Sequence, residues 1–260
     1  IRDRARAFAS GVRDRLVEAW DTSDYPLDIV RSLGKAGLFV AAVQHPDLPE
    51  SSALAAGLVN LELSRVDGSL GTVMAVQAGL ALRTLALFGS DEQQARWLGP
   101  LHRGEVLGAF ALTEPHVGSD ASSLRTTAVK DGDGYVLNGV KQFITSGKNG
   151  HAAVVIAVTD KAAGKKGMSA FIVPTHRLGN HGWVVARIED KLGQHSSDTA
   201  QINLENCRVP AENLIGEEGE GYKIALSALE GGRIGIAAQS VGMARSALEV
   251  AIQYAKERES

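Results

Sequence analysis

The chain has 260 residues, 44% of them hydrophobic and 22% charged, enough for a sizeable core and more than one domain. A net charge of −3 argues against non-specific nucleic-acid binding, which needs clustered cations to displace counterions. The single cysteine, Cys207, cannot form an intrachain disulfide and suits a reducing compartment, and no C-x-x-C or H-E-x-x-H spacing points to a metal.

From Arg2 to Trp20, Phe8, Val12, Leu16 and Ala19 recur at helical spacing among scattered arginines, which predicts one amphipathic helix with a charged outer face. Asp3, Asp14 and Glu18 interrupt the positive charge, against a basic membrane-surface helix. Pro26 suits a helix first turn, and Leu27, Val30 and Leu33 carry the pattern on to Gly37. Residues 44–52 hold two prolines and read as a loop. Ala53 to Val66 is helical again. Ser69 to Phe88 is almost wholly apolar, but Gln77 and Arg83 interrupt it, so a buried central helix is expected and membrane insertion is not. Ser90 and Gln93 have capping-box spacing for a helix that ends near Pro100.

At Phe110 the period changes from helical to alternating. Phe110-Ala111-Leu112-Thr113 reads as a short strand running into Glu114-Pro115-His116-Val117-Gly118-Ser119-Asp120, a turn of small and hydroxyl residues able to hold an anion. Thr126–Lys130, Tyr135–Leu137, Val140–Thr145, Ala152–Val158, Met168–Val173, Trp183–Ile188 and Ala200–Val209 follow as short β-prone runs, which predicts a compact sandwich or barrel. Asn138-Gly139 carries the strongest local hairpin signal and is expected to turn Phe143-Ile144-Thr145 back along the preceding strand. Gly164-Lys165-Lys166-Gly167 lacks phosphate-loop spacing and reads as a hairpin tip. From Glu217 a long helix begins, with Tyr222, Ala225, Leu229, Val241 and Leu248 among its apolar stripe, expected to lie exposed. Ile1 at one end and an uncapped helical run to Ser260 at the other read as cut ends.

Together, T-E-P-x-x-G-S-D and L-N-G-x-K-x-F-I-T resemble the flavin-binding middle domain of the acyl-CoA dehydrogenase family, and K-L-G-Q-H-S-S-D-T-A, R-V-P-A-E-N-L-I-G-E-E-G-E-G-Y and L-E-G-G-R-I-G-I-A-A-Q are similar to its later segments. The loop at 44–52 departs from the Gly-Gly-x-Gly-like run usual there. The resemblance is to the short- and medium-chain-like branch, and it implies an α+β multidomain fold: an N-terminal helical domain over 1–108, a middle β-barrel or sandwich domain over 109–212, and over 213–260 the first helix of an incomplete C-terminal four-helix bundle. It implies FAD held by Phe110, Ala111, Leu112, Thr113, Ser119, Phe143, Ile144 and Thr145, with main-chain groups and the Thr113 hydroxyl at the ring edge and Phe143, Ile144 and Thr145 over its face. It implies that an acyl-CoA thioester meets Ser119 and Glu230-Gly231-Gly232-Arg233, an inward-facing charged pair on an apolar helix that otherwise reads as a helix-surface pair. The implied reaction is α,β-dehydrogenation, with electrons passed to an electron-transferring flavoprotein, in a homotetramer of the bacterial cytoplasm or mitochondrial matrix. Gly232 stands where one branch carries its catalytic base, so no catalytic residue is expected before Ser260 and the chain as given is expected not to turn over. An oxygen-using oxidase or monooxygenase relative, or a non-catalytic relative that binds nucleic acid or a partner, are the alternatives.

Overall fold

The computed structural model describes residues 1–259, so the segment read as 213–260 ends one residue beyond the described residues. Helices α1 (Arg2–Gly11), α2 (Arg13–Thr22), α3 (Leu27–Lys35), α4 (Ala53–Ser64), α5 (Gly68–Met74), α6 (Arg83–Phe88) and α7 (Asp91–His102) come first. A π-helical stretch, Ala75–Leu82, joins α5 to α6 into one continuous run. That run is the one helix among the described residues long and apolar enough to cross a membrane, and most of it is buried inside the protein.

The expected single N-terminal helix is broken. Val12 leaves the helical region at φ −111°, ψ 4°, just after Gly11, a poor helix former. The break lets Ala5 and Ala9 of α1 and Leu16 of α2 reach one core with Leu33, Phe39, Leu63 and Val73. The capping box forms as read, the Ser90 hydroxyl accepting from the Gln93 N–H at 3.3 Å and the Gln93 side chain accepting from the Ser90 N–H at 3.2 Å. Helix α7 continues through Pro100 to His102.

Among the described residues eight strands follow: β1 (Gly108–Ala111), β2 (Thr127–Asp131), β3 (Gly134–Thr145), β4 (Ala152–Val158), β5 (Met168–Pro174), β6 (Trp183–Ile188), β7 (Thr199–Pro210) and β8 (Leu214–Ile215). They form one sheet in the order β6-β7-β3-β2-β4-β5-β8, with β1 parallel to β4. Residues of β4 and β5 share a core with residues of β3, β6 and β7, so the sheet folds over on itself. Along β4, Val154 and Ile156 face the helices while Ala153 and Val155 face the sheet interior. Burial on both faces explains its unbroken apolar run.

The expected Asn138-Gly139 hairpin is not there. Residues 134–145 are a single strand paired with β7, and the reversal lies between β2 and β3, where Gly132 takes φ +62°. Gly139 instead marks a register shift, and a Cβ on it would meet Thr126 Oγ1 at 2.4 Å. Asn138 Oδ1 accepts the Asn206 N–H at 2.8 Å. A cross-strand partner thus holds the pair as a bulge, and Phe143–Thr145 runs onward along β7.

Helix α8 (Gly221–Glu257) closes the described chain. Its inner face, Ile224, Ala225, Ala228, Gln239 and Gly242, packs on the body, and a Cβ on Gly242 would lie 2.3 Å from the Leu61 carbonyl oxygen. Of the predicted stripe, Val241 and Leu248 are exposed, while Ala225 is buried.

Candidate functional site

Two motif turns meet at the end of β1. The Gln142 N–H donates to the Thr113 carbonyl at 2.8 Å, and Lys141 Nζ donates to the Leu112 carbonyl at 3.0 Å and to Glu114 Oε1 at 2.9 Å. Lys141 is 0% exposed, and Glu114 also accepts the Arg125 and Thr126 N–H groups at 2.7 and 3.0 Å. Burial pushes the Lys141 ammonium down to about 8 against the pull of Glu114. Burial works to raise the Glu114 carboxyl, but the Lys141 charge and the donors around it hold it below its usual range. A desolvated ion pair with its remaining groups satisfied fixes geometry, and removing either partner strands a charge.

Beside this pair β3 bulges. The register against β7 shifts between Lys141 and Ile144, and Phe143 sits at φ +59° and is 61% exposed. A bulky side chain in the left-handed region costs on the order of 1–3 kcal/mol and persists only where its surroundings over-determine it. Here the surroundings are the Gln142–Thr113 bond on one side and the buried Ile144 on the other. Thr113 and Thr145 are each half-buried. Beyond them Ser146 also takes a positive φ, and its N–H donates to the Asp198 carbonyl at 3.3 Å. The Asp198 side chain accepts the Asn149 N–H at 2.9 Å, and burial raises its carboxyl above the ordinary range.

The remaining predicted residues divide. Phe110 and Leu112 are buried and packed toward the helices, and Ala111 toward the sheet interior, so these three present main chain rather than side chain. Ser119 is exposed on the loop that returns over Thr113. The Asp120 carboxylate is engaged by the Ser122 and Ser123 hydroxyls, which hold it below its usual range.

Glu230-Gly231-Gly232-Arg233 lies on α8 against the α5–π–α6 run. Glu230 and Arg233 are exposed rather than turned inward, and neither forms an ion pair among the described residues. The glycines face the body: a Cβ on Gly231 would lie 2.9 Å from Arg83 Nε, and one on Gly232 would lie 3.1 Å from Leu80. Leu80 also packs on the core that holds Phe110 and Leu112, and so connects the two halves. Between α4, the π-helical stretch and α8 lies a cavity of about 100 Å³, lined by Ala56, Met74, Ala75, Gly79, Arg83 and Gly232 among others. Lys141 and Glu114 stand inside the recognised motifs without a role assigned from sequence, and Arg83 shows there only as a break in an apolar run.

Three segments match family domains: residues 1–105 "Acyl-CoA dehydrogenase, N-terminal domain", 109–207 "Acyl-CoA dehydrogenase, middle domain", and 219–260 "Acyl-CoA dehydrogenase, C-terminal domain". The chain is 41% identical over 240 residues to the short-chain specific acyl-CoA dehydrogenase, mitochondrial, of Rattus norvegicus, covering 90% of this chain and 56% of that protein. It therefore spans just over half the length of that relative. A solved chain from work on the electron transferring flavoprotein of Acidaminococcus fermentans superposes with a TM-score of 0.95 at 41% identity, covering 100% of this chain and 68% of that one. A glutaryl-CoA dehydrogenase from Mycobacterium smegmatis in complex with FADH2 superposes with a TM-score of 0.92 at 31% identity, covering 100% and 65%.

Proposed function

The chain belongs to the acyl-CoA dehydrogenase family, and on that premise we propose that it serves the FAD-dependent α,β-dehydrogenation of a short acyl-CoA thioester. The carrying observation is Phe143, an exposed aromatic ring at φ +59° held beside Thr113 by a main-chain hydrogen bond. The residues present fit a flavin: Phe143 offers a flat apolar surface, Thr113 and Thr145 offer hydroxyls, and Phe110 to Leu112 offer a main-chain edge. FAD, when bound, supplies the acceptor for the hydrogen that leaves the β carbon.

The chain's own residues bind and orient. The Lys141–Glu114 pair fixes the relative position of the two turns, so that the Thr113 hydroxyl and the Phe143 ring need no rearrangement to receive a ligand. Ser119, exposed on the loop after Thr113, meets the thioester's phosphate-bearing arm in this reading. Gly231 and Gly232 give the acyl group room beside α8, and Arg233 supplies charge near its polar portion. Gly232 has no side chain to take the α proton and Glu230 is exposed, so the base in this reading is a carboxylate outside the 230–233 turn.

The reading extends to a division at 1–108, 109–212 and 213–260, an electron-transferring flavoprotein as electron acceptor, a homotetramer, and a location in the bacterial cytoplasm or mitochondrial matrix. It is supported by the relatives' names and by the exposed apolar side chains of α8, among them Val241, Leu248 and Ile252. The test is to purify the full-length protein, record its flavin spectrum, and follow dye reduction across a panel of acyl-CoA thioesters. Bound flavin and turnover of short acyl chains are expected; a colourless protein that neither takes up FAD nor reduces the dye overturns the proposal.

A further inference from the structure

Arg83 begins α6 directly after the π-helical stretch and lines the 100 Å³ cavity. Its polar neighbour in the lining, Asn60, is satisfied: Nδ2 donates to the Gly235 carbonyl at 2.9 Å and Oδ1 accepts the Ser64 hydroxyl at 3.1 Å. Arg83 is not. It has no carboxylate partner among the described residues, its one hydrogen bond is a long 3.4 Å contact to the Ala42 carbonyl, and its Nε is buried with no acceptor. A guanidinium stays charged at any working pH, and a buried donor left unpaired is costly. Gly231 leaves room for the guanidinium: a Cβ there would lie 2.9 Å from Nε.

The rest of the lining is apolar or glycine, and the volume is small. A cavity of about 100 Å³ suits the end of a short chain rather than a long one. We infer that this cavity receives a short acyl group ending in a carboxylate, and that the Arg83 guanidinium is the specificity residue that pairs with it. The inference rests on the acyl-CoA reading above and narrows its substrate class to dicarboxylyl thioesters. A charged partner satisfies the guanidinium and its orphaned Nε together, in the two-pronged geometry that Arg makes with carboxylates, whereas a methyl terminus leaves both unmet.

Butyryl-CoA and succinyl-CoA differ only by a carboxylate in place of the terminal methyl. Their binding is to be measured by calorimetry to the full-length, flavin-loaded protein reduced beforehand, so that neither thioester reacts. Succinyl-CoA is expected to bind about tenfold more tightly or better, as one charge-assisted pair provides. Arg83→Met should abolish or invert that ratio, and Arg83→Lys should keep part of it. The ratio is taken within one protein, so a change in overall stability cancels; if Arg83→Met does not fold, Arg83→Lys and the wild type decide. Tight butyryl-CoA binding with no preference for the carboxylate, or a preference that Arg83→Met leaves unchanged, overturns this inference and leaves the family reading intact. Failure of both thioesters to bind overturns the two together.

Discussion

The two halves of the site are built on opposite principles. Around Thr113 and Phe143 the chain is over-determined: a fully buried ion pair, main-chain bonds across the turns and a strained backbone angle fix every group before any ligand arrives. Along α8 from Glu230 to Arg233 it is under-filled, with glycines facing the body, charges facing out and a cavity beside them. The first arrangement suits a resident partner that must sit in one pose, the second a transient one whose identity the lining selects.

The contrast is broken most directly at Lys141. Lys141→Met leaves Glu114 charged and buried, and should cost about 3–5 kcal/mol in urea unfolding. Hydrogen exchange should then rise in the 112–120 and 141–146 segments while α8 near Gly235 stays protected. Equal loosening of both would mean that the halves are not mechanically separate.

Acid should act elsewhere, where α1 and α4 meet the far end of α8. Glu62 accepts from Arg2, Arg6 and Arg65, and Arg65 in turn pairs with Glu249 on α8. The Arg6 hydrogen bond leads in holding the Glu62 carboxyl near 2, against the contrary effect of burial. The folded value lies below the unfolded one of about 4.5, so the unfolded chain binds the proton more readily. Stability from this group is therefore complete above that value and lost as pH falls toward 2. The loss should be about 1–2 kcal/mol once solvent screening of the half-exposed arginines is allowed for. Glu62→Gln should flatten the curve in denaturant titrations across that window.

The smallest effect has the sharpest sign. Phe143→Asn suits the left-handed angle better and should stabilise the protein by up to about 1 kcal/mol while weakening flavin retention on a desalting column. A variant that lost stability would show the ring to be a packing residue.

Much of this was visible in the sequence, for identifiable reasons. Helix ends marked by Ser90 and Gln93, and the doubly buried run of β4, are written in local pattern. The convergence of the Thr113 and Phe143 turns follows from the family resemblance and not from local pattern: it depends on Lys141 finding Glu114, 27 residues away, and a lysine inside a β-prone run looks like a solvent-facing residue. The Asn138-Gly139 pair misleads because its local preference for a turn loses to Asn206 and Thr126, which approach from other strands. The break at Val12 is hidden because the same apolar spacing serves one long helix or two short ones sharing a core. Arg83 could be seen as an interruption; that it has no carboxylate partner among the described residues could not.

The wide turn at Ala75–Leu82 has a consequence for how such proteins diversify. A π turn accommodates one residue more than the α-helix around it, so a single codon lost there can be absorbed without rotating the neighbouring helical faces. Descendants could trim or restore that residue, resculpting the cavity beside Gly232 while the rest of the molecule keeps its seating.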